Sequence, residues 1–217
     1  MSTAISTAGR GRLGDCFITN SAVRRDTYRR IRSDEKDFAK RDGKRYALVM
    51  SQLDFPDHHH LRAAHGWLDL GRPLEAKEEL SQISKTNFSH PDVLEARWKI
   101  AVEGNEWHSA LQIARDLIDV DPDRVTGWIN QSYCLHELKR TQEAWESLMR
   151  VAGKFPKVGI IPNNLACYAC QLGRLAQAQD WLDKALAAGG RAQIKAMALS
   201  DDDLKPLWPE IEKFPDE

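Results

Sequence analysis

Two groups of residues have types and spacing that could do chemistry: Cys167-Tyr168-Ala169-Cys170, and His58-His59-His60 with His65. A Cys-x-x-Cys pair exchanges thiol for disulfide when a helix N-terminus or a nearby cation lowers the pKa of one sulfur. Histidines hold zinc when about four ligands converge on one point. Here the cysteine pair falls inside a stretch of helical spacing rather than at its start. No second pair completes a four-sulfur site, and no histidine follows as haem attachment requires. Consecutive histidines diverge around a helix, so this run reads as a solvated helix start. Neither a nucleophile elbow nor a phosphate-binding loop is present. The expectation is a protein that is not an enzyme and uses no cofactor and no metal. Thiol redox chemistry through Cys167 and Cys170 is kept as a minor alternative.

The elements that must position such residues follow from composition and periodicity. A chain of 217 residues, 42% of them hydrophobic, can bury a core. Its net charge of −1 makes no electrostatic case for a nucleic-acid or membrane partner. The charge is uneven, however. Residues 1–49 carry 12 Lys and Arg against 6 Asp and Glu, which leaves 19 against 26 in the acidic remainder. A nucleic-acid adaptor acting through that basic segment is therefore the second functional reading.

No apolar stretch approaches the ~20 residues of a membrane span, and the N-terminus lacks the apolar run of a secretory signal. The first 25 residues hold Arg, Ser and Thr with Asp15 as the one acid, a faint transit-peptide character ranked below a plain disordered tail. Met50, where the repeat-like composition begins, is the expected native start. Four cysteines do not make a disulfide framework in a chain of this size, so a cytoplasmic location is expected.

Sliding the chain by 34 residues brings small residues into register: Ala76, Ala110, Ala144 and Ala178. Leu80, Ala114, Leu148 and Leu182 follow four residues later, and Ile83, Leu117, Val151 and Ala185 three beyond those. Pro122 and Pro156 keep the same step. Each period holds two short helices. Leu70-Gly71-Arg72-Pro73, Gly104-Asn105 and Leu172-Gly173-Arg174 end the first, since Gly or Asn accepts a left-handed cap. The alanine on the second lets two helix backbones approach closely. Asp121-Pro122 and Phe155-Pro156 end the second, because proline cannot continue the ladder. Trp107 and Trp145 on second helices are expected to pack between units.

This pattern resembles the tetratricopeptide-repeat family, whose 34-residue motif places Trp, Leu, Gly and Tyr on the first helix, Ala and Phe on the second, then Pro. Trp128, Leu135, Ala144, Leu148 and Pro156 match it best. Arg97, Gln131 and Pro162 depart from it, and the first unit has Pro91 later than the expected step. The resemblance implies an all-α solenoid of antiparallel helix pairs with units at about 57–90, 91–124, 125–158 and 159–190. A basic segment, 1–49, precedes the array, and 191–217 caps it. ALSDDDLKPLW resembles a closing segment found after such repeats, and is read as a cap with Ser200 to Asp203 supplying capping oxygens.

The resemblance also implies a function, namely a groove lined by the first helices that binds a protein or peptide segment. Unit positions 2, 5, 9 and 12 share one helix face. Positions 5, 9 and 12 select Glu95, Lys99 and Val102, then Ile129, Tyr133 and His136, then Asn163, Cys167 and Cys170, with Asn130 and Asn164 flanking. This mildly polar strip is expected to be open to a partner, its amides suited to pinning an extended peptide backbone. Glu95 stands where relatives that grip a C-terminal carboxylate carry a cation, which argues against that specificity.

Overall fold

The computed structural model describes residues 53–188 and 190–214. The basic 1–49 segment lies outside them. Among the described residues there are ten α-helices, two short 3₁₀ turns and no strand. Four helix pairs come first: α1 (Asp57–Asp69) with α2 (Pro73–Ser81), α3 (Pro91–Glu103) with α4 (Trp107–Val120), α5 (Val125–Glu137) with α6 (Thr141–Ala152), and α7 (Ile160–Gln171) with α8 (Leu175–Ala188). Then come α9 (Arg191–Leu199), a 3₁₀ turn (Asp202–Leu207) and α10 (Trp208–Ile211). Each helix of the four pairs packs on the next one in the chain.

The period is visible in the backbone. Gly71, Asn105, Lys139 and Gly173, spaced 34 apart, take φ of 70°, 55°, 62° and 73°. Each ends a first helix in the left-handed region. The residue after each donates its N–H back across the turn in the same way: Arg72 to the Trp67 carbonyl at 2.9 Å, Glu106 to Ala101 at 2.8 Å, Arg140 to Leu135 at 2.9 Å and Arg174 to Ala169 at 2.8 Å. Four turns of one geometry thus reverse the chain four times.

Lys139 is the turn residue that the glycine and asparagine pattern does not announce. Its Cβ is strained there, because left-handed angles cost an ordinary L-residue ~1–2 kcal/mol. We expect Lys139→Gly to raise the unfolding free energy by about 0.5–1 kcal/mol, part of the relief being offset by a looser unfolded chain. Gly173→Ala is expected to lower it by about 1 kcal/mol through backbone strain alone, since an added Cβ there meets nothing within 4 Å. Urea titration of the two variants checks both signs.

Packing follows the same step. Ala76, Ala110, Ala144 and Ala178 are fully buried, as are Ala114, Leu148 and Leu182. A methyl at each crossing keeps the helix axes close. Proline acts at both ends of helices. Pro73 and Pro91 sit in first turns, and Pro122 lies just past the end of α4. Pro162, out of place in the repeat motif, falls in the first turn of α7, where its missing N–H would be unpaired anyway. The first unit, whose proline comes late, is tied differently. Buried Asp57 accepts hydrogen bonds from the Ser84 N–H at 3.0 Å, the Ser84 hydroxyl and Asn87 Nδ2 at 2.7 Å. These bonds hold its carboxyl below the usual aspartate range. Leu53 packs in this first unit with Leu61, Ala64 and Ala76, while Phe55 projects into solvent.

Two tryptophans on second helices, Trp107 and Trp145, reach toward the next unit. Trp107 meets Tyr133 edge-on at 5.6 Å, and Arg174 lies over the Trp145 ring at 5.3 Å. No helix among the described residues is long and apolar enough to cross a membrane.

Candidate functional site

The strip selected on the first helices is brought together, but it is not open. Asn130 and Asn163 are 0% exposed, Tyr133 and Cys167 1%, Ile129 and Glu95 2%, and Asn164 4%. His136, Val102 and Cys170 are buried as well, and only Lys99 is half-buried. The expectation of an exposed wall is therefore corrected over most of its length. Helices α5 and α7 bury residues on every side, with Ile160 to Cys170 covered without a break. A helix buried all round must satisfy its polar side chains inside the protein.

Several polar members have such partners. Glu95 accepts from Arg124 Nη1 at 3.0 Å and from the Thr126 hydroxyl at 2.6 Å. Arg124 is itself buried and also donates to Asp92 at 2.8 Å and to Asp121 at 3.2 Å. The three carboxylates come from α3 and from the turn after α4, and Arg124 immediately precedes α5 while Thr126 on α5 shares Glu95, so this cluster joins the second unit to the start of the third. Glu95 thus serves the inter-unit joint rather than a groove. Tyr133 lies edge-on between Trp98, at 6.3 Å, and Trp107. Tyr168 donates to Ser132 Oγ at 3.2 Å, and its ring meets that of His136 at 5.1 Å.

The chain's own C-terminal turn reaches this wall. Cys167 Sγ donates to Asp201 Oδ2 at 3.0 Å, and His136 Nε2 meets Asp203 Oδ2 at 2.8 Å. Gln171 Nε2 donates to the other Asp203 oxygen. Asp201 also caps its own turn, accepting the Asp203 N–H at 3.0 Å. Leu204 and Leu207 are buried beside α7, α8 and α9. Sequence reasoning identified the capping oxygens but not their reach. A signal was present: Cys167 and Asp201 are 34 apart, as are Cys170 and Leu204. The turn continues the positions that Cys167 and Cys170 hold one unit earlier and Tyr133 and His136 two units earlier.

Burial governs the titrating groups here. Asp201 is 0% exposed, and loss of hydration, with the Asp203 charge adding, pushes its carboxyl up to about 6 against the hydrogen bond from Cys167. Burial, followed by the charges of Asp201 and Asp203, pushes the Cys170 thiol up to about 11. Cys134, which accepts from Trp98 Nε1 at 3.3 Å, is pushed by burial up to about 12. A reactive thiol needs the opposite shift, so this environment does not favour the thiol reading.

The histidines at the start of α1 do not converge. His58 and His59 are exposed, and His60 Nδ1 pairs with Glu79 at 2.9 Å. Among the described residues no three His, Cys, Asp or Glu side chains gather as metal ligands. The chain matches no protein-family model, and no curated protein is similar to it.

Proposed function

We propose that the four helix pairs form a tetratricopeptide-like α-solenoid that binds a peptide or protein segment along its inner, first-helix face, without catalysis. The observation that carries this reading is the repetition itself. One left-handed turn recurs at 71, 105, 139 and 173, and one buried alanine recurs at 76, 110, 144 and 178. Units that repeat in this way stack, each covering the apolar side of its neighbour, and the stack presents one extended face. The covered wall at α5 and α7 directs a partner toward the α3 end, where Lys99 is half-buried.

Alanine at Asn130, Tyr133 and Asn164 would test stability rather than binding, because all three are buried. The informative variant is Lys99→Glu. A protein or peptide isolated with the full chain is titrated against wild type and variant, with unfolding midpoints measured in parallel. We expect affinity to fall about tenfold or more, a larger loss than any shift in the midpoint accounts for, because charge reversal sets like against like at an interface. Equal affinity, or cross-links that map to α4, α6 and α8, overturns the reading.

A further inference from the structure

The inner face holds an occupant already, the chain's own acidic turn, and the occupant's contacts depend on protons. We propose that the Asp201–Leu207 turn is a proton-dependent latch over the inner face of α5 and α7, tight when the Asp201 carboxyl carries a proton and looser when it does not. The inference rests on reading that face as a docking surface, and it names how access to the surface is regulated.

The geometry supplies the parts. Asp201 has no exposed surface, and its side chain meets the Cys167 thiol at 3.0 Å. Two residues on, Asp203 bridges His136 and Gln171, which stand on different helices. Contacts from α5 and α7 thus converge on Asp201 and Asp203, two of three consecutive acidic residues. A buried carboxylate without a full countercharge is costly, and protonation removes that cost. Charged and titratable groups stand around it on each packed element. From α7 come Cys167 and Cys170; from α5 come His136 and Glu137, the latter's carboxyl itself raised by burial. Within the turn stand Asp203, which raises Asp201, and Asp202, which pairs with Lys205 at 2.9 Å. Elsewhere, Lys195 on α9 donates to the Phe214 carbonyl, Lys184 on α8 lies over Trp181, and Glu210 on α10 is exposed. Acidification through the Asp201 titration therefore tightens the turn.

The test uses amide hydrogen exchange of the full chain, read as protection relative to intrinsic rates. With Asp201 near 6 in the closed turn and at the ordinary aspartate value of 3.8 when open, linkage lowers protection of residues 201–208 about 25-fold from pH 4.5 to 7.5, and about fourfold from pH 5.5 to 7.5. Asp201→Asn, which keeps a capping oxygen, should flatten that change. At pH 7.5 the variant should also label with maleimide at Cys167, mapped by mass spectrometry, about tenfold or more slowly than wild type.

Three outcomes overturn the latch. One is a pH response unaltered in Asp201→Asn. The second is protection at 201–208 equal to that of α5 amides at every pH, which would mean the turn opens only when the whole chain unfolds. The third is equal Cys167 labelling, which would mean that turn motion uncovers nothing. None of these readouts needs a partner, so failure of the latch leaves the docking reading standing. Cross-links on the second helices would instead sink the docking reading and leave the exchange result intact.

Discussion

Arg124→Met is expected to lower the unfolding free energy by about 3–5 kcal/mol, the largest loss foreseen for any single substitution considered. Arg124 is 5% exposed and donates to Asp92, Glu95 and Asp121. Methionine fills much of the volume but leaves the Glu95 and Asp121 carboxylates buried without the guanidinium, the Thr126 hydroxyl still donating to Glu95. The cost comes from stranded charge rather than from a lost attraction, and that makes it separable. Glu95→Gln in the Arg124→Met background should recover about 1–2 kcal/mol, whereas Glu95→Gln alone should cost about 1–2. Denaturant titration of the four proteins in this cycle measures the coupling. A single Arg124→Met loss under about 1 kcal/mol would show that water reaches the cluster and that the joint between the second and third units does not depend on it.

Asp201→Asn is expected to do the reverse and stabilise the protein at pH 7.5, by about 2 kcal/mol. In the folded protein the carboxyl is raised from 3.8 to about 6. A group raised on folding binds its proton more tightly in the folded state. Its contribution to stability is complete below about pH 4 and is lost as pH rises through about 6. At pH 7.5 the wild type has lost about 3 kcal/mol by this route, and asparagine avoids the loss. Roughly 1 kcal/mol is returned because the neutral amide accepts more weakly from the Asp203 N–H and the Cys167 thiol. The wild type should therefore gain stability between pH 7.5 and 5 while the variant stays flat. Urea midpoints at both pH values check the slope. A variant less stable than wild type at pH 7.5 would mean that the two hydrogen bonds outweigh the burial of charge.

These two residues also mark where sequence reading stops. Helix pairing, the 34-residue step, the turns at Gly71, Asn105 and Gly173 and the buried alanines are all legible in the chain, because each depends on contacts within one unit or between neighbouring units of like sequence. Lys139 escaped notice because position, not residue type, forces its left-handed backbone. The Asp-Asp-Asp run was legible as a source of capping oxygens, since an aspartate cap is a local device.

Tertiary structure alone decided what the first-helix strip faces. A helical wheel separates one face from another but says nothing about what lies against each face. Glu95 looks like a groove residue until Arg124, 29 positions away, takes it for an inter-unit joint. His136 looks like a peptide contact until Asp203, 67 positions on, arrives against it. Local spacing records which residues share a side. Long-range packing determines whether that side meets solvent or another part of the chain, because burial is a property of both surfaces that meet and only one of them is written in any given stretch of sequence.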